Sequence, residues 1–195
     1  NALGKFTAAA FYTLTQDDIV PLKNEGGKAT FRNADQTLRQ GIELSWQKDV
    51  WRDLTAQASY SYIDATFDKD TVDIAGISPI PNGNNIPGIA KNQAFLALGW
   101  KPETGLHAGV DVRYSDKIYV DDINSDTAPS YVVAVANIGY KWTVNDWAFN
   151  TFTRVDNLFD KDYSGSVIVN ESNKRFFEPA EGRNWSAGLS VTKSF

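Results

Sequence analysis

Apolar and polar residues alternate with a period of two along most of this 195-residue chain. Such alternation builds half-buried strands, not amphipathic helices. Phe6, Ala8, Ala10, Tyr12 and Leu14 oppose Thr7, Thr13 and Thr15, and Ile42, Leu44 and Trp46 oppose Glu43, Ser45 and Gln47. The pattern returns through Tyr60, Leu98, Val110, Val112 and Ile138, and ends with Trp185, Ala187, Leu189 and Val191 against Ser186, Gly188 and Ser190. Eight such segments can be read. Each runs for about 9–13 residues, whereas a soluble strand averages about 5–6 and a tilted bilayer-crossing strand needs about 9–11. The expected fold class is therefore all-β, an antiparallel transmembrane β-barrel. Tyr60, Leu98, Val112 and Leu189 should face lipid. Glu43, Gln57, Asp111, Arg113 and Ser190 should face the lumen.

The connections alternate in length. Short ones are expected near 48–52, 102–105 and 143–146, and long ones near 17–28, 67–90, 118–130 and 158–182. Short turns at one end and long loops at the other is the habit of bacterial outer-membrane barrels, with the short turns periplasmic. Aromatic placement agrees. Trp46, Trp51, Trp100, Trp142 and Trp147 fall beside the short turns, while Tyr12, Tyr60, Tyr62, Tyr114, Tyr131 and Trp185 fall near the opposite strand ends. Amphipathic rings prefer the headgroup level, so two bands mark two interfaces. A soluble β-sandwich binding module would alternate as well, but explains neither the strand lengths nor the tryptophans.

Several functions are disfavoured. A net charge of −5 opposes nucleic-acid binding. With no Cys there is no thiolate metal site. His107 is the single histidine and falls near a short turn, far from the long loops, as a polar filler of the lumen wall. Ser164 and Ser166 flank a glycine outside the strand–turn–helix setting that a nucleophile elbow requires. Asp122, Asn124 and Asp126 have the opening spacing of a Ca²⁺ loop, but Thr127 and Val133 replace its glycine and its terminal glutamate. They read as a solvated acidic loop, with weak Ca²⁺ binding as the alternative. Neither an enzyme nor a cofactor is expected.

Three stretches resemble one family. Residues 155–163 (VDNLFDKDY) are similar to the motif that precedes the last extracellular loop of TonB-dependent outer-membrane receptors. Residues 33–43 (NADQTLRQGIE) resemble a motif on an earlier strand of that family. Residues 165–170 and 176–185 resemble the closing segments of ferric-siderophore and ferric-citrate receptors. The resemblance implies a barrel of about 22 strands around an N-terminal plug. Residues 1–195 would be its C-terminal portion, with the plug and first strands absent.

That resemblance implies TonB-dependent uptake of a metal chelate, foremost a ferric siderophore, through the bacterial outer membrane. The implied partners are the chelate, the TonB complex acting through the absent N-terminal region, outer-membrane lipid and the barrel-assembly machinery. Trp185, Leu189, Val191 and Phe195 look like the terminal-strand signal that this machinery reads. Loops on rigid scaffolds carry recognition, so Tyr119, Asp121, Asp122, Arg175, Phe176 and Phe177 are the candidate ligand contacts. Arginine and aromatic faces suit a flat anionic chelate. The alternatives are a passive porin or adhesion-type barrel, and a receptor of the same family for cobalamin or copper.

Overall fold

The computed structural model describes residues 3–70 and 79–194. Eight strands form one antiparallel meander in chain order. They are β1 (Lys5–Glu25), β2 (Lys28–Trp51), β3 (Leu54–Phe67), β4 (Asn92–Trp100), β5 (Gly105–Ser115), β8 (Tyr131–Val144), β9 (Trp147–Asp156) and β12 (Asn184–Lys193). Two small hairpins occupy the outer connections. One pairs β6 (Ile118–Tyr119) with β7 (Thr127–Ala128), and the other pairs β10 (Ser164–Val167) with β11 (Phe177–Pro179).

Register carries each face across the whole sheet. Ala56, Leu98, Val110, Ala136, Val155 and Trp185 are successive cross-strand partners. They form an apolar row in which the large side chains of Leu98, Val110 and Trp185 are exposed. On the other face the rows read Ser45, Ser59, Phe95 and Arg113, and Gln47, Gln57, Ala97 and Asp111. The polar face is the concave one. A cavity of about 510 Å³ opens on it, lined by Ser45, Ser59, Ser61, Phe95, Arg113 and Ser115. A polar concave face and an apolar convex face define a barrel wall. A sandwich would need a second sheet packed about 10 Å from the first. Among the described residues only the two short hairpins lie outside the main sheet.

Two polar contacts order the polar wall, one across strands and one along a strand. His107 Nε2 lies 2.9 Å from Asn150 Oδ1 on β9, reaching across β8. Gly139 on β8 leaves room for this: a Cβ there would fall 2.5 Å from the His107 ring. Arg154 and Asp156 pair along β9 through Nε bonds of 2.9 and 3.0 Å and an Nη2 bond of 2.6 Å.

The first long connection differs from expectation. Residues 17–28 are not a loop. β1 and β2 continue through them as a paired ribbon and close at Gly26–Gly27. Both glycines have positive φ, 58° and 80°, as a two-residue hairpin turn with the twist of its strands requires. Pro21 is tolerated because the register slips between Pro21 and Lys23. The other three long connections and all three short turns lie where expected.

The aromatic band at the short turns is present. Trp142 stacks on Phe149 at 5.0 Å. Arg52 lies over Trp51 at 5.3 Å and Lys193 over Trp147 at 5.4 Å, cations placed to reach headgroups. At the opposite end Tyr12 and Trp185 are exposed on the apolar face. Tyr131 is the exception. It pairs with Ser115 on the polar face and its ring meets that of Tyr163 at 4.3 Å. Trp185, Leu189 and Val191 form an exposed apolar stripe on β12. Phe195 lies outside the described residues.

Candidate ligand-binding rim

The buried hydrophobic cluster of this wall lies beyond its lipid band, at the outer end. Val20, Ala34, Ala65, Phe67, Ile80 and Ile86 pack together, with Ile63 and Ile89 against them. The connection after β3 folds back along its own strand to build this cluster. Phe67 N–H donates to Asn84 O at 2.9 Å, Gly83 N–H to Phe67 O at 2.8 Å and Ile86 N–H to Ala65 O at 2.9 Å. The outer rim thus has a core of its own, and its loops are held rather than draped.

Polar side chains cross-link the loops. Arg32 on the β1–β2 ribbon donates to Asp122 in the β5–β8 connection at 3.1 Å, with both side chains more than nine-tenths buried. Burial pushes the Asp122 carboxyl above its usual range, with Asn170 and Arg32 pulling it back. Asn84 Nδ2 donates to Asp122 O at 2.8 Å. Asn124 accepts from Asn85 N–H at 2.8 Å and returns a bond to Asn85 O at 2.9 Å. At the ribbon's base, Asp18 accepts from Thr37 Oγ1 at 2.6 Å and pairs with Arg39 at 2.8 Å.

The motif in residues 155–163 is a turn device. Asn157 is buried with φ 50°, a left-handed conformation that asparagine tolerates. Its side chain accepts from Lys161 N–H at 2.8 Å and donates to Lys161 O at 2.9 Å and Glu181 O at 3.3 Å. One residue closes the turn and pins the return path of the last loop.

The candidate contacts divide into two groups. Arg175 is exposed, and its guanidinium has no hydrogen-bond or ion-pair partner among the described residues. Phe177 is 42% exposed. Tyr119 is half-buried beside a cavity of about 240 Å³ that Lys91, Asp116 and Lys117 also line, with the Lys117 ammonium 5.0 Å from its ring. These three offer accessible surface. Asp121 turns back on its own loop, accepting from Ser125 N–H at 2.7 Å and from the Ser125 hydroxyl. Asp122 and Phe176, by contrast, are buried. Asp122 is only 6% exposed and neutralised by Arg32, and Phe176 is 7% exposed with its ring edge-on to Phe177. Both are engaged within the rim, Asp122 with Arg32 and Phe176 with Phe177. Within the acidic loop Asp122 is buried against Arg32 and Asn124 is bonded to Asn85, while Asp126 stays exposed and accepts from Thr127 N–H.

Sequence reasoning missed Arg32 and Asn85 as rim contacts. It took Asn124 only as part of a Ca²⁺-loop spacing and Asn170 only as the end of a family motif.

A polar concave wall, an apolar convex wall and a built outer rim define an outer-membrane β-barrel. The family model of the TonB-dependent-receptor-like β-barrel matches residues 1–158, and the chain belongs to that family. It is 30% identical over 190 residues to the probable TonB-dependent siderophore receptor PiuA of Acinetobacter baumannii, covering 95% of this chain and 24% of that protein. It is 31% identical over 163 residues to the ferrioxamine receptor of Yersinia enterocolitica, covering 80% of this chain and 21% of that one. The crystal structure of the A. baumannii siderophore receptor PiuA superposes with a TM-score of 0.76 at 26% identity, over 97% of this chain and 26% of that one. The chain spans about a quarter of the length of these relatives.

Proposed function

We propose that residues 1–195 form a C-terminal sector of the barrel of a TonB-dependent receptor that imports a ferric siderophore. The carrying observation is the exposed Arg175, its guanidinium without a partner among the described residues, two residues before the exposed Phe177 on a rim fastened at several points. Guanidinium supplies a planar fork of donors and the ring an apolar face, together suited to a bulky anionic chelate. The acidic pair that would repel such a cargo does not act as two free carboxylates. Arg32 neutralises Asp122, and Asp121 is bonded to Ser125. Curated relatives named for ferrioxamine, ferrichrome and siderophores support this reading. Import energy would come from the TonB complex acting on a plug outside this chain. His107, the single histidine, is engaged with Asn150 on the polar wall, far from the rim.

The test is equilibrium binding by the full receptor in detergent, with ferrioxamine B and ferrichrome as probes and cobalamin and copper(II) as controls. Replacing Arg175 and Phe177 together by alanine should weaken chelate binding by about 1–3 kcal/mol, one charge-assisted hydrogen bond plus partial aromatic burial. Unchanged affinity removes these residues from the contact surface. Binding of cobalamin or copper alone rejects iron as the cargo and leaves the family assignment untouched.

A further inference from the structure

We infer that Asn170 is a positioning residue that fastens three outer connections into one body. It thereby fixes where Arg175 and Phe177 stand relative to Tyr119. The ligand-facing part of this role rests on the siderophore reading above, whereas the fastening does not.

All four polar groups of Asn170 engage other connections. Its N–H donates to Val120 O at 3.0 Å, and its carbonyl accepts from Asn24 N–H at 3.0 Å. Its Nδ2 donates to Pro21 O at 2.8 Å, and its Oδ1 accepts from Asp122 N–H at 3.1 Å. Pro21 lies 149 residues away in the β1–β2 ribbon, and Asp122 lies 48 away in the β5–β8 connection. Asn170 itself belongs to the last outer loop. Its backbone is left-handed, with φ 54°, a conformation that asparagine accepts at small cost.

The side-chain chemistry is specific. One planar amide must offer a donor to a carbonyl and an acceptor to an N–H. Aspartate would set a carboxylate against Pro21 O and near the Asp122 carboxylate. Serine is too short to reach both partners. Neighbouring contacts run in parallel with the staple: Ser172 N–H donates to Asn24 O at 2.9 Å, and Arg32 ties the ribbon to Asp122. The staple also sits between the exposed groups. Val120 directly follows Tyr119, and the last loop leaves Asn170 toward Arg175 and Phe177. Rigid spacing of contacts lowers the ordering penalty of binding, so loosening Asn170 should weaken binding without removing any contact.

The deciding variant is Asn170→Gly in the full receptor, reconstituted in nanodiscs without ligand. Glycine keeps the left-handed backbone, the N–H and the carbonyl, and deletes only the amide side chain. Backbone hydrogen exchange should accelerate about tenfold or more in residues 118–126 and 20–25 together, since these openings depend on lost inter-loop bonds. The heat-modifiable barrel should remain. Asn173→Gly, in the same loop, should change exchange only near itself. Ferrioxamine B affinity should fall about tenfold for Asn170→Gly. Acceleration confined to 164–182, or none, overturns the fastening role. Full fastening with unchanged affinity overturns the positioning role. If the wild-type receptor fails to bind ferrioxamine B, the siderophore reading fails for that cargo, while the exchange result still decides the staple.

Discussion

Arginine at Val110 or Leu189 should destabilise the folded barrel by about 2–4 kcal/mol, the range for a cation forced onto the lipid face near the bilayer midplane. Val110 lies between Leu98 and Ala136 in the apolar row, midway along β5, and Leu189 is 61% exposed on the same face of β12. Neither position offers the guanidinium a partner, and the nearest headgroups lie half a strand away. Ser190 adjoins Leu189 in sequence but points to the concave wall, beside Asn150. Arginine there meets water and polar groups, so Ser190→Arg should cost well under 1 kcal/mol. The comparison is made on the full receptor in lipid vesicles, by denaturant titration of the heat-modifiable form. Equal losses at Leu189 and Ser190 would contradict the two-faced wall.

The lipid band was legible because its cause is local. Side chains of a strand alternate by geometry, and one face must be apolar in a bilayer. Period, strand count, short turns and the tryptophan band at those turns therefore followed from residues such as Ile42, Leu44 and Trp46 without any tertiary information. The outer rim was not legible for the opposite reason. In the β1–β2 ribbon, Ile19 is exposed while Val20, and Ala34 on the paired strand, are buried. That burial is set by the connection after β3, which packs across from a distant part of the chain, so the segment reads as a connection in sequence and its strands stay concealed. Arg32 and Asp122 are 90 residues apart, and nothing in either neighbourhood announces the other. Phe176 and Phe177 look alike in sequence, yet the β10–β11 hairpin sends one ring inward and leaves the other outside. Alternation predicts that adjacent residues part company; it does not predict which one faces the ligand when both are aromatic.

Removing Asp122 should be the most damaging single change in the outer rim. Arg32 and Asp122 are both more than nine-tenths buried and 3.1 Å apart. Truncating one member of such a pair leaves the other charge buried without compensation, at a cost of about 3–5 kcal/mol. Asp122→Ala should therefore open the junction between the β1–β2 ribbon and the β5–β8 connection, exposing residues 118–126 to protease while the wall stays folded. Asp122→Asn should be milder, because it keeps the shape and an acceptor for Arg32. The pH response follows from the raised carboxyl. Its folded-state value lies above the unfolded one, because burial outweighs Asn170 and Arg32. A group shifted this way contributes its stabilisation fully below the ordinary carboxylate range, and loses it as pH rises through the folded value. Mild acid should therefore not release this junction through Asp122. Limited proteolysis of the full receptor between pH 7 and about pH 5 checks this: loops that loosen on acidification in wild type but not in Asp122→Asn would show that the ionised carboxylate is the stabilising form.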